Sequence, residues 1–127
     1  MSNQVTKPNS GRVFKTAWFS KAAKKAHIPD SELREAITQV IQGLADDMGG
    51  GVFKKRLNGN MHRSIILAKG GRHWVYEYLF AKQDRSNIDM DELAGFRVIA
   101  KAYAKLSDGQ IEQLLVNKDL WEIRNDG

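Results

Sequence analysis

The chain has 127 residues, with 20 Lys and Arg against 15 Asp and Glu for a net charge of +5, 42% hydrophobic residues and no cysteine. That length suits one domain with a modest core, and the lack of cysteine excludes disulfides, thiolate nucleophiles and Cys-type zinc sites. No run approaches the ~18 consecutive apolar residues of a membrane span, and the N-terminal MSNQVTKPNSGR has no apolar stretch that could act as a secretory signal, so a cytoplasmic protein is expected.

Residues 1–11 are polar, contain Pro8 and Gly11 and show no periodicity, which predicts a flexible tail ahead of a single domain over 12–127. Val13 to Phe19 is rich in β-formers and reads as a first strand. Ser20 can then cap a short basic helix to about Ala26. After Pro29, with Asp30 or Ser31 as N-cap, Leu33, Ile37, Val40, Ile41 and Leu44 follow helical spacing and form a core-facing stripe. This helix should stop near Asp46, since Gly49-Gly50-Gly51 follows.

Three strands are predicted next, over Val52 to Leu57, His62 to Lys69 and Arg72 to Lys82. Lys69-Gly70-Gly71-Arg72 marks a tight hairpin between the last two, because glycine tolerates the positive φ of such turns. Asp89 with Glu92, and Ser107 with Gln110, have the spacing of capping boxes. The first opens a helix with Leu93, Phe96, Ile99, Ala100 and Tyr103 on one face, the second a segment with Ile111, Leu114 and Leu115. An amphipathic stretch then ends in Leu120, Trp121 and Ile123. The order β-α-α-β-β-β-α-α predicts an α+β domain: an antiparallel sheet of about four strands with helices packed on one face.

Charge is segregated along this order. Residues 1–28 carry six basic and no acidic residues, 29–51 sum to −4, Val52 to Arg85 to +6, and 86–127 to −3. The positive excess therefore falls on the sheet, together with His62, His73, Trp74, Tyr76 and Tyr78, which points to a polyanion partner. Alternation places Lys54 and Arg56 on one face of their strand and Phe53, Lys55 and Leu57 on the other. On the last strand it groups Trp74, Tyr76, Tyr78 and Phe80 in one stripe and Val75, Glu77, Leu79 and Ala81 in the other. Either stripe can be the core. Aromatics on a half-exposed sheet also grip single-stranded RNA, which makes Tyr76 and Tyr78 candidate RNA contacts. His27, His62 and His73 lack metal-ligand spacing, so neither a metal nor another cofactor is expected.

The segments GGGVFKKRL, HRSIIL and FAKQDRSNI, the last leading into an acidic helix start, resemble the RelE/HigB group of toxins from bacterial type II toxin–antitoxin systems, part of the RelE/ParE superfamily. The resemblance covers about residues 13–115, and the FAKxxRxNI element is its most specific part. It implies a small α+β fold and a ribosome-dependent endoribonuclease that cuts mRNA by attack of the ribose 2′-OH on the adjacent phosphate. It further implies a cognate antitoxin, of helix-turn-helix type, as partner alongside mRNA and the ribosome, and no membrane. Metal-free cleavage of this kind needs a group to take the 2′-OH proton, a cation on the phosphate oxygens and an acid for the leaving 5′-oxygen.

Carried over by position, Lys54 and Arg56 match the family's paired basic residues, Arg63 its strand arginine, and Lys82 and Arg85 the basic element after the last strand. The resemblance assigns Arg63 to the scissile phosphate, Lys54 to general-base or phosphate duty, and Arg56 and Lys82 to charge stabilisation. Arg85 can instead pair with Asp84 or cap the following helix. His62 stands where the family has an aromatic, as a stacking group, an acid/base or a plain strand residue. Lys21, Lys24 and Lys25, with Lys55 and Arg72, are candidate contacts to RNA or the ribosome. The connection Asn58 to Met61 is shorter than the Gly/Lys-rich loop usual in this branch, which removes positive charge. Two other functions remain open: a gyrase-inhibiting ParE-type toxin, and an RNA-binding regulatory domain without catalysis.

Overall fold

The computed structural model describes residues 11–70 and 73–124. The expected tail up to residue 10, Gly71 and Arg72 lie outside them. The elements are β1 (Val13–Thr16), α1 (Ala17–Lys25), α2 (Asp30–Ile41), β2 (Asp46–Asp47), β3 (Val52–Leu57), β4 (His62–Lys69), β5 (His73–Ala81), α3 (Met90–Ala104), α4 (Asp108–Val116) and β6 (Leu120–Ile123).

The first strand is shorter than its β-formers suggest. The Thr16 hydroxyl accepts the Phe19 N–H at 3.0 Å, so the helix is capped at Thr16, four residues before Ser20. Burial of Phe19 and Ala23, one turn apart, then outweighs strand propensity. The next helix starts at Asp30, with Pro29 at the N-cap and no side-chain cap bond. It ends at Ile41 rather than near Asp46, because Gly43 adopts φ +89° and the Leu44 and Gly43 amides donate back to the Gln39 and Val40 carbonyls. Leu33, Ile37 and Val40 are core, but Ile41, the last helical residue, and Leu44, beyond the stop, are exposed although expected there. Both capping boxes form as the spacing predicts.

The sheet has six strands in the order β2-β3-β4-β5-β1-β6, not four. It is antiparallel except for β1, which lies parallel to β5. Two-residue β2 and four-residue β6 were too short to stand out as strands in the sequence. Helices cover both faces rather than one. Phe19, Leu33 and Ile37 of α1 and α2 pack on Leu57, Ile66 and Tyr76. On the opposite face Ala100 and Ile111 of α3 and α4 pack on Val52, Ile65 and Val75. That double burial explains the near-continuous apolar run in the middle of β4.

The four-aromatic stripe expected on β5 is split. Ile65 pairs with Tyr78 but Ile66 with Tyr76, so Glu77 is an extra residue that reverses the alternation. Trp74 and Tyr76 join the α1/α2 core, whereas Tyr78 and Phe80 face the α3/α4 side. The Glu77 carboxyl accepts a long bond from the Tyr103 hydroxyl at 3.5 Å, and its burial raises its pKa above the ordinary carboxylate range. A raised pKa means the unfolded chain releases this proton first, so Glu77 costs stability as pH rises from the ordinary carboxylate value of about 4.3. Glu77→Gln should therefore raise the thermal midpoint at neutral pH, with the gain shrinking to nothing in acid. A gain that persists unchanged below that range would refute the assignment.

Candidate nucleic-acid interface

β3 and β4 are joined by a four-residue connection in which Asn58, Gly59 and Asn60 all take positive φ, a conformation that Asn and Gly tolerate best. The resulting register sets Arg56 directly opposite Arg63, and Lys54 opposite Ile65. Arg63 is in turn opposite Phe80 of β5. All these residues share the sheet face on which α3 and α4 pack. The helices cover only one end of that face. Along β3, Val52 is fully buried, the Lys54 side chain is 16% exposed, and Arg56 is exposed.

Each cation has a distinct setting. The Lys54 ammonium lies 3.7 Å from the Asp46 carboxylate, which β2 places across from it. That register depends on the glycine-rich turn after β2. There Arg97 of α3 donates to the Met48 and Gly49 carbonyls, and a Cβ on Gly50, whose φ is +65°, would come within 2.7 Å of the Arg97 side chain. Arg63 donates to the carbonyls of Asn60 at 3.0 Å and His62 at 3.2 Å, which holds its guanidinium against the turn. Among the described residues Arg56 has no carboxylate partner, and neither has Arg63. Lys82 is exposed just past β5, where its amide donates to the Met61 carbonyl and keeps it beside the same turn.

Arg85 is engaged with structure instead. It donates to both Glu92 oxygens, at 3.0 and 2.5 Å, and to the Asn87 carbonyl, while its guanidinium lies over the Phe80 ring. Arg85 holds Glu92 below the usual carboxylate range, helped by the Asp89 amide, and Glu92 raises the Arg85 pKa further. The pairing is with Glu92 at the start of α3, not with Asp84.

Other expected contacts are distributed elsewhere. His62 follows strand alternation away from Arg63, opposite Leu57 and Ala81, with Nδ1 3.1 Å from the Asn58 amide nitrogen. Lys55 likewise points to the α2 side. Lys21, Lys24 and Lys25 are exposed on α1. Tyr76 has no exposed surface and donates to the Leu33 carbonyl at 2.7 Å, so it cannot stack on a base; burial raises its pKa far above that of a free phenol. Tyr78 is half-buried under the indole of Trp18. Arg72 lies outside the described residues. Sequence reasoning overlooked Asp46, because a two-residue strand leaves no register to read, and Trp18, because its segment reads as a strand rather than a helix.

Among the described residues no group of three or more His, Asp or Glu side chains is placed to hold a metal ion, and no helix is long and apolar enough to cross a membrane. The family model of the RelE toxin of the RelE/RelB toxin–antitoxin system matches residues 11–123. The chain belongs to the RelE toxin family. It thus matches a toxin of a toxin–antitoxin system, and membership implies an antitoxin as partner. No curated protein matches the chain. In RelE terms the matched span contains every described strand and helix, and the Arg56–Arg63 pair lies near its middle.

Proposed function

We propose that this RelE-family chain is a ribosome-dependent mRNA endoribonuclease that inhibits translation. The observation that carries the reading is the Arg56–Arg63 pair. Like charges directly opposite one another weaken a sheet, and neither arginine has a carboxylate to relieve it among the described residues. An RNA phosphate seated between them removes that repulsion and receives the planar, bidentate contact that guanidinium groups favour.

On this reading Arg63 holds the scissile phosphate, with Arg56 and Lys82 countering charge that builds on its oxygens. Lys54, held by Asp46, contacts the same phosphate as an ammonium, or takes the 2′-OH proton once it has given its own to water. The 2′-OH gives its proton to the neutral Lys54 amine or to water, the 2′-oxygen bonds to phosphorus, the bond to the 5′-oxygen breaks, and the leaving oxygen takes up a proton from water. The products are a 2′,3′-cyclic phosphate and a 5′-OH. Arg85 is a positioning residue that fixes Phe80 and the start of α3. The antitoxin, of helix-turn-helix type, would restrain this activity in the cytoplasm.

Mapping mRNA 5′ ends in a reconstituted translation reaction tests the reading. New ends within codons, formed only when the message is being translated, are the expected result. Cutting of free RNA to the same extent would remove the ribosome requirement. Intact RNA in both reactions would overturn the nuclease reading and favour gyrase inhibition or a binding role.

A further inference from the structure

Trp18 is 52% exposed although it lies on the first turn of a helix that buries Phe19 beside it. One face of its indole stacks on Tyr78, with ring centroids 5.2 Å apart and planes 25° apart. Tyr78 is itself held between Phe80 and Phe96, each at 5.9 Å. The indole is thus fixed from beneath by a ladder of rings. It lines an open groove with Lys25, His62 and Arg85. Helical spacing puts Lys21 and Lys25 one and two turns beyond Trp18 on the same side of α1.

We infer that Trp18 is a base-stacking platform that seats one nucleotide of single-stranded RNA next to the phosphate held by Arg63, an assignment that rests on the nuclease reading above. Three observations favour RNA over a protein segment. The ring ladder runs without a break from Trp18 through Tyr78 to Phe80, and Phe80 is the residue across from Arg63, so platform and phosphate site are continuous. The net charge along the groove is positive: Lys21 and Lys25 are exposed without carboxylate partners among the described residues, Arg85 is neutralised by Glu92, and Asp84 is the acid that lines it. A flat π-surface flanked by cations is what grips single strands without regard to sequence. Because the indole is already held, little further ordering is needed when a base stacks on it.

Binding of the full chain to a short 2′-O-methyl oligoribonucleotide, which lacks the attacking hydroxyl, tests the platform by fluorescence anisotropy. Trp18→Ala should weaken binding about tenfold and Trp18→Phe by less than about threefold. The slope of log affinity against log salt should stay unchanged in Trp18→Ala, because the lost contact is not ionic, whereas Lys25→Ala should lower it by about 0.7. Removing the base from single positions of the oligonucleotide should weaken binding to the wild type at one position and have no effect there in Trp18→Ala. Wild-type affinity in Trp18→Ala overturns the inference, as does an abasic penalty that is the same in both proteins. If the wild type cuts translated message while its RNA affinity ignores Trp18, the platform fails and the nuclease reading stands. A wild type that neither binds nor cuts overturns both.

Discussion

Arg63→Ala should lower the rate of mRNA cleavage by about 10²–10³-fold, the cost of removing one fixed donor to a reacting oxyanion. It should do so with a change in folding stability below about 0.5 kcal/mol. The guanidinium donates to the carbonyls of Asn60 in the β3–β4 connection, where water can replace it, and of His62 at the start of β4, and its removal also relieves Arg56 of a like charge directly opposite. Arg63→Lys keeps the charge but not the forked geometry, so its rate should fall between those of the wild type and the alanine variant. Single-turnover cleavage on programmed ribosomes, beside urea unfolding, separates the two effects. Wild-type cleavage by the alanine variant would mean that the scissile phosphate lies elsewhere.

Tyr76→Ala should have the largest effect on stability, about 3–5 kcal/mol by analogy with Phe and Trp truncations. A domain of this kind has only about 5–15 kcal/mol in total. Tyr76 is fully buried, its ring is 4.9 Å from that of Phe19, and its hydroxyl reaches the Leu33 carbonyl, so one side chain joins β5 to α1 and α2. Tyr76→Phe should keep the packing and lose about 1 kcal/mol with the hydrogen bond. The same variant should bind RNA as the wild type does. Altered RNA affinity at unchanged stability would restore Tyr76 as an RNA contact.

The contrast between Tyr76 and Tyr78 shows where sequence reading reaches its limit. Strand alternation gives the two tyrosines one face, and one extra residue at Glu77 gives them opposite faces. A bulge leaves no composition signal, because it depends on how the partner strand is registered. The cations fare better. Lys54 and Arg56 lie on regular, unbulged pairing between β3 and β4, so period-two reasoning puts them on one face, whereas Arg63 joins them through a register that only the structure gives. The two capping boxes were legible because their determinants are three residues apart. β6 was not, since its partner β1 lies at the other end of the described chain and four residues carry too little pattern alone. Trp18 fell on the wrong side of a helix start set by the Thr16 hydroxyl, against the β-propensity of its neighbours.

The placement of β1 has a kinetic consequence. Strands β3, β4 and β5 form a meander of short loops, while β1 fits between β5 and β6, partners that lie far along the chain from it. The bonds from Arg12 to Glu122 span 110 residues. Loop closure costs more entropy over such separations, and contacts of this range are the slow ones in folding. The meander can therefore assemble first and wait for its parallel neighbour. Since Arg56 and Arg63 both belong to the meander, assembly in this order would form the cationic pair before the sheet closes, with the capture of β1 as the late step.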